Sequence, residues 1–273
     1  MNIMKISIAA LWKKFYFRIP VYACIALVFS YTCGVLAMDK LLFPGAADQT
    51  VRPPKSGNIT LRSGNAEIDA LYHTPAPGKP VLLYSHGNGE TLHSIKPLLN
   101  RFILMGYGVM AYDYAGYGNS TGYPGEKQSY LDIEAAYDYL VKKHKLAPKD
   151  IVIMGYSVGS GPSCYLAEKI NSRALIIISG FASAAQVLLP FSVPFDQFPN
   201  AERLKNCKVP LLIIHGRNDK IIPVRNGNKL FSSSAAPIRE IYYTDAGHND
   251  IFYKSPGVFH KIKNFLEQSP KFE

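Results

Sequence analysis

Ile153-Met154-Gly155-Tyr156-Ser157-Val158-Gly159 is the stretch that decides the reading of this 273-residue chain. An apolar run feeds straight into Gly-x-Ser-x-Gly, the sequence form of a nucleophile elbow. At such an elbow the backbone reverses from strand to helix so sharply that the serine takes a strained conformation, and the residues two before and two after it must be small. Gly155 and Gly159 meet that demand, and Ser157 becomes the candidate nucleophile. Five residues with two glycines also arise by chance, so the flanks carry the argument. Ile151 to Met154 is a short β-branched run bounded by Pro148-Lys149-Asp150, and Pro162 to Ile170 predicts a helix. Strand, turn and helix stand in the required order.

A serine hydroxyl is a weak nucleophile at neutral pH; it needs a base, and the base needs a carboxylate to orient it. Downstream, Cys207-Lys208-Val209-Pro210-Leu211-Leu212-Ile213-Ile214-His215-Gly216-Arg217-Asn218-Asp219 predicts a buried strand with an acid just past its end, so Asp219 is the candidate orienter. Arg239 to Thr244 predicts another strand, and the loop Asp245-Ala246-Gly247-His248-Asn249-Asp250 presents the candidate general base, His248. An Asp after a strand is most often a turn former and a loop histidine is most often just solvated. What singles out His248 is its place in a loop after both the nucleophile and the acid. His73 and His93 precede the serine, His144 lies in a Lys-rich helix end, and His260 falls in the terminal amphipathic helix. Asp245 and Asp250 compete for the carboxylate role but adjoin His248 in sequence, which makes its far ring nitrogen hard to reach. The order nucleophile, acid, histidine differs from the chymotrypsin-like and subtilisin-like orders.

A tetrahedral intermediate also needs donors for its oxyanion, normally the amide after the nucleophile and one from the loop following an earlier strand. Val158 is the candidate for the first. Val81-Leu82-Leu83-Tyr84-Ser85-His86-Gly87-Asn88-Gly89 has the form of that strand and loop, and Asn88 is the candidate for the second. His86 and His215 are read as structural.

Composition fits one enzyme domain: 48% hydrophobic residues, with 21 glycines and 19 prolines, and neither internal repeats nor low-complexity tracts. After residue 56 the pattern alternates. A hairpin over Ile59 to His73 precedes a strand at Val81, a helix near Leu92 to Met105, a strand at Val109 to Asp113 and a long helix near Glu126 to His144. The elbow strand, a strand at Leu175 to Ser179, the strands at Leu211 and Ile241, and a helix near Val258 to Gln268 follow. Alternation of this kind predicts an α/β fold with a mostly parallel sheet covered on both faces.

The N-terminus is a separate object. Ile19 to Met38 is uncharged and long enough to cross a bilayer as a helix, with Lys5, Lys13, Lys14 and Arg18 before it. Residues 1–40 are therefore read as a basic segment and membrane anchor, and residues 41–273 as the catalytic domain. A signal peptide cut after Val35-Leu36-Ala37 is the competing reading, and it would give a secreted or periplasmic enzyme. Lys40, Arg52 and Lys55 follow the segment, so the charge bias is weak and places the catalytic domain on the extracytoplasmic side. Net charge is +10; residues 1–40 contribute +4 of it, leaving +6 for the remainder, an excess suited to an anionic membrane surface. Lys142-Lys143-His144-Lys145 reads as a solvated helix end, and without a nucleic-acid module nucleic acid is rejected as a partner. Cys24 and Cys33 lie in the apolar segment, and a Cys164–Cys207 disulfide is left open. No Cys/His spacing resembles a metal site, so neither metal nor cofactor is implied.

With these residues in hand, the chain resembles the α/β-hydrolase superfamily, and within it the membrane-anchored, short-cap branch that includes eukaryotic protein depalmitoylases and many bacterial hydrolases. The matching pieces are Leu41-Leu42-Phe43-Pro44, His86-Gly87-Asn88-Gly89, Asp113-Tyr114-Ala115-Gly116-Tyr117-Gly118-Asn119-Ser120, Gly155 to Gly159, His215 to Asp219 and Gly247-His248-Asn249. Two positions depart from that branch. Ala115 stands where a basic residue is common, and the N-terminus lacks the dense cysteine cluster of the depalmitoylases, which sets depalmitoylation behind a general ester or thioester reading. Between Ser179 and Lys208 the cap is only about thirty residues and carries Phe181, Leu188, Leu189, Phe191, Val193, Phe195 and Phe198. Leu188 and Phe191 are the candidate substrate contacts of an acyl-binding wall, against the plainer reading that the cap packs onto the sheet. The expectation is a serine hydrolase acting on a small or lipid-like acyl ester or thioester. An amidase or peptidase with the same triad is the alternative, and a non-catalytic scaffold is the alternative from another class. Oligomeric state is not legible.

Overall fold

The computed structural model describes residues 8–44, 58–189, 193 and 196–269; for residues 8–19 and 35 only the helical backbone is described. Eight strands form one sheet in the order β1-β2-β4-β3-β5-β6-β7-β8. They are β1 (Asn58–Ser63), β2 (Ala66–His73), β3 (Val81–Ser85), β4 (Gly108–Tyr112), β5 (Ile151–Tyr156), β6 (Ala174–Ile178), β7 (Leu211–Gly216) and β8 (Arg239–Thr244). β1 and β2 form an antiparallel hairpin, β2 runs antiparallel to β4, and every later pairing is parallel. The expected mostly parallel α/β architecture is what the chain adopts.

β3 to β7 are buried along their whole length, which is why they read as unbroken apolar runs: both faces of this sheet are covered. Alternate residues feed two cores. Ile151 and Ile153 of β5 join one face, packed under α3 (Glu126–Asp138), α4 (Ser160–Lys169), α5 (Asn200–Leu204) and α6 (Arg225–Ser233). Val152 and Met154 join the other, under α2 (Leu92–Leu104), α7 (Ile251–Lys254) and α8 (Gly257–Gln268). The period of two in the strand thus sorts side chains between layers.

From β3 the chain moves outward to β4 and then returns to lay β5 on the other side of β3. Loops after β3 and β5 diverge there, and a reversal of this kind leaves a crevice at the carboxyl ends of the two strands. The elbow serine and the His86–Asn88 loop leave the sheet at that point.

Three details go beyond the sequence pattern. The helical run expected near Glu126 to His144 is α-helical as far as Asp138 and continues as a wider π-helical turn over Tyr139–Lys143. Helix α6 was not foreseen, because Arg225-Asn226-Gly227-Asn228 is poor in helix formers; burial of Asn226, Gly227 and Leu230 against the sheet overrides that propensity. Cys164 and Cys207 are buried free thiols, with no disulfide between them.

At the N-terminal end α1 (Ile8–Leu42) is a single 35-residue helix containing Pro20. Its stretch Pro20–Leu42 is long and apolar enough to cross a membrane. Beyond it, Phe43 is buried against the sheet domain at 3% exposure, and burying a side chain of this size stabilises by about 1.5–3 kcal/mol.

Candidate active site

Ser157 has φ +54°, a left-handed conformation rare for a residue with a side chain. The glycines around it allow the turn. A Cβ on Gly155 would lie 2.4 Å from the Gly159 carbonyl oxygen, and one on Gly159 would lie 2.1 Å from the Ser85 carbonyl oxygen. The second contact also presses the elbow against the end of β3, where the candidate oxyanion loop begins. Ser160 Oγ donates to the Ser157 carbonyl at 2.7 Å and closes the turn into α4.

Ser157, His248 and Asp219, 91 and 29 residues apart in sequence, meet in one buried line. His248 Nε2 lies 2.9 Å from Ser157 Oγ, and His248 Nδ1 lies 2.7 Å from Asp219 Oδ2. With Nδ1 protonated, the imidazole donates to the carboxylate and accepts from the serine hydroxyl. The other Asp219 oxygen accepts from the Ile221 and Ile222 amides at 3.0 and 2.8 Å, so the carboxylate cannot swing away. Burial pushes the Asp219 pKa up, but the His248 hydrogen bond and charge, with the Ile222 amide, outweigh it and hold the group below the ordinary carboxylate value.

The rival acids have other work. Asp250 accepts from the Gly247 amide at 2.7 Å and pairs with Lys254 at 2.6 Å, which shapes the histidine loop without touching the ring. Asp245 is exposed, and its carbonyl takes the Asn218 side-chain amide at 2.7 Å. That bond ties the Asp219 loop to the His248 loop. Gly216 permits the same approach, since a Cβ there would meet the Ala246 carbonyl oxygen at 2.3 Å. His215 hydrogen-bonds the Ile222 carbonyl at 2.8 Å; burial lowers its pKa, so it supports the acid loop as a neutral ring.

Val158 follows the serine at the start of the turn into α4. In the β3 loop, Tyr114 Oη donates to the His86 carbonyl at 2.8 Å, His86 Nδ1 to the Gly87 carbonyl at 2.7 Å, and Tyr117 Oη to the Asn88 carbonyl at 2.9 Å. Three successive peptide planes are therefore pinned. Gly87 lets the loop lie on Tyr156, because a Cβ would come within 2.9 Å of that ring.

The sequence reading missed Tyr156, Tyr114 and Tyr117. Each looks like an ordinary aromatic in sequence, and the only available signal was two tyrosines in Asp113-Tyr114-Ala115-Gly116-Tyr117 and one inside the elbow. Of the cap residues, Phe181 and Phe198 are packed into the core rather than lining a wall, while Leu188 is 72% exposed. Phe191 and Phe195 lie outside the described residues. Among the described residues no cluster of His, Cys, Asp and Glu could hold a metal ion.

Residues 76–195 match the serine aminopeptidase S33 family. Over 218 residues the chain is 35% identical to human alpha/beta hydrolase domain-containing protein 17B, covering 77% of this chain and 74% of that relative. The chain belongs to the α/β-hydrolase family. The Xenopus tropicalis 17B protein matches this α/β hydrolase at 36% identity over the same share of both chains. Among solved structures, a Pyrococcus furiosus esterase superposes with a TM-score of 0.66 at 17% identity, covering 81% of this hydrolase and 98% of that chain. Mouse alpha/beta hydrolase domain-containing protein 10 gives a TM-score of 0.61 at 16% identity, over 78% of this hydrolase and 99% of that chain. These two likenesses concern the fold.

Proposed function

We propose that this α/β hydrolase is a serine hydrolase that cleaves acyl esters or thioesters through an acyl-enzyme. The observation that carries the reading is the unbroken hydrogen-bonded line from Ser157 through His248 to Asp219 at 2.9 and 2.7 Å. Ser157 Oγ attacks the acyl carbonyl carbon while His248 Nε2 takes the hydroxyl proton. Asp219 holds the ring in the required tautomer and stabilises the imidazolium. The carbonyl oxygen, now an oxyanion, is met by the amides of Asn88 and Val158. His248 returns the proton to the departing alcohol or thiol as its bond to the acyl carbon breaks. Water then repeats the sequence, and the acid leaves with Ser157 restored. No step calls on a metal or cofactor.

The substrate side of the proposal is a medium acyl chain lying along the short cap near Leu188, with Phe191 as a further contact. The apolar helix α1 serves as a membrane anchor for residues 41–273, with the catalytic domain outside the cytoplasm. Full burial of each methylene is worth about 0.8 kcal/mol, so kcat/KM should rise at most about fourfold per added methylene until the wall ends. The test is fluorophosphonate labelling of wild type and Ser157→Ala, followed by p-nitrophenyl esters of increasing acyl length. Labelling only of wild type, with activity rising beyond acetyl, is the expected result. Labelling of both proteins would overturn the nucleophile, a profile peaking at acetyl would overturn the acyl wall, and turnover of anilides in place of esters would favour amide cleavage.

A further inference from the structure

Helix α1 does not stop at the domain surface. The Phe43 amide donates to the Asp39 carbonyl at 2.9 Å, extending the helical turn into the catalytic domain. Asp39 Oδ1 accepts from the Gln197 side chain at 3.0 Å, and Met38 and Leu42 pack on the core. The Phe43 ring then meets three aromatic rings: Tyr114 at 5.7 Å between centroids, Phe198 at 6.1 Å and Tyr117 at 6.3 Å. Its contacts with both tyrosines are edge-on, a favourable geometry for aromatic pairs.

Those two tyrosines are the ones that grip the β3 loop. Tyr114 and Tyr117 donate to the carbonyls of His86 and Asn88 at 2.8 and 2.9 Å, and their rings lie 4.5 and 5.7 Å from the His86 imidazole. His86 in turn donates to the Gly87 carbonyl at 2.7 Å. In a trans peptide the N–H points opposite the C=O, so fixing the Gly87 carbonyl fixes the direction of the Asn88 N–H. Phe43 thus reaches the amide expected to meet the oxyanion through three contacts, to Tyr114, from Tyr114 to His86, and from His86 to the Gly87 carbonyl.

We propose that the last turn of α1, Asp39–Phe43, is a positioning element of the oxyanion hole, with Phe43 holding Tyr114 and Tyr117 and through them the peptide planes of His86, Gly87 and Asn88. The segment that leads from the apolar helix is then part of the catalytic apparatus as well as a tether. This inference rests on the reading of the Asn88 amide as an oxyanion donor.

The test uses full-length protein in detergent, with turnover normalised to the number of serines titrated by fluorophosphonate. Phe43→Ala should lower kcat per titrated site by about ten- to a hundredfold with KM changed less than about twofold, a fraction of the loss known for removing a donor outright. Phe43→Leu should recover part of it, and Tyr117→Phe should lower kcat in the same way. Because both variants act on one loop, the double variant should be slower by clearly less than the product of the single effects. Leu36→Ala, on the exposed part of α1, should leave kcat unchanged. A role confined to stability would lower Tm and the number of titrated sites but leave kcat per site intact, and that result overturns the proposal. If Phe43→Ala fails to fold, Phe43→Leu combined with Tyr117→Phe decides: full additivity, or wild-type kcat in both singles, overturns it. Absence of labelling in wild type would sink the hydrolase reading and this inference together, whereas a labelled and fully active Phe43→Ala sinks this inference alone.

Discussion

Tyr156 holds His248 from two directions: its hydroxyl donates to the His248 carbonyl at 2.9 Å, and its ring lies along the imidazole with centroids 5.4 Å apart and planes inclined by 30°. The residue before Ser157 therefore positions His248, 92 residues later in the chain. Tyr156→Phe keeps the ring and removes the hydroxyl. It should lower kcat by roughly tenfold with little change in KM, since mispositioning a base costs transition-state stabilisation without altering ground-state binding. Steady-state kinetics on one p-nitrophenyl ester checks this, and a variant with wild-type kcat would show that the loop holds His248 unaided.

The assignment of the carboxylate predicts a contrast among three acids. Asp219→Asn should lower turnover by about four orders of magnitude, because the amide cannot hold the reactive tautomer. His248→Ala should be at least as damaging, and both proteins should keep the wild-type circular dichroism spectrum. Asp250→Asn and Asp245→Asn should stay within about tenfold of wild type. A collapse of activity in Asp250→Asn with a near-normal Asp219→Asn would reverse the assignment.

The same carboxylate predicts a pH dependence of stability. Asp219 has a folded pKa below its ordinary value, so its stabilising contribution is fully present above the unfolded pKa of about 3.9 and is lost as pH falls through the folded value. Wild type should therefore lose stability relative to Asp219→Asn as pH falls below about 4, while the difference between them stays level from about pH 5 to 7. Melting temperatures of both proteins across that range test it, and parallel curves throughout would remove the linkage.

Close approach at the elbow predicts an intolerance of small additions. Gly159→Ala would place a methyl group 2.1 Å from the Ser85 carbonyl oxygen, and Gly161→Ala would place one 2.1 Å from the Phe198 ring. Backbone cannot yield as a flexible side chain can, so Gly159→Ala should cost several kcal/mol or prevent folding, and Gly161→Ala should displace the cap first. Thermal melts and expression yield distinguish the two. A soluble, fully active Gly159→Ala would contradict the packing.

For the apolar helix, full-length protein should partition with membranes and resist carbonate extraction. Recovery of mature protein in the soluble fraction with its N-terminus at Met38 would instead identify a cleaved signal.

Much of this protein was legible in its sequence because the information is local. Gly155 and Gly159 announce the elbow by what they lack, unbroken apolar runs such as Leu211 to Ile214 announce strands covered on both faces, and the order of Ser157, Asp219 and His248 follows from strand ends alone. The site's buttresses are different in kind. Nothing in a one-dimensional pattern tells that Tyr156 grips the His248 loop, that Tyr114 and Tyr117 pin the carbonyls of His86 and Asn88, or that Phe43 reaches both tyrosines, because a buried aromatic has the same sequence signature whatever it touches. Helix α6 stayed hidden for a related reason: Asn226 and Gly227 are poor helix formers, and only packing against His215 and the sheet makes a helix there favourable. Sequence determined which groups this chain has and in what order they leave the sheet. Tertiary packing decided which of them touch, since contact between residues tens of positions apart depends on how the layers close.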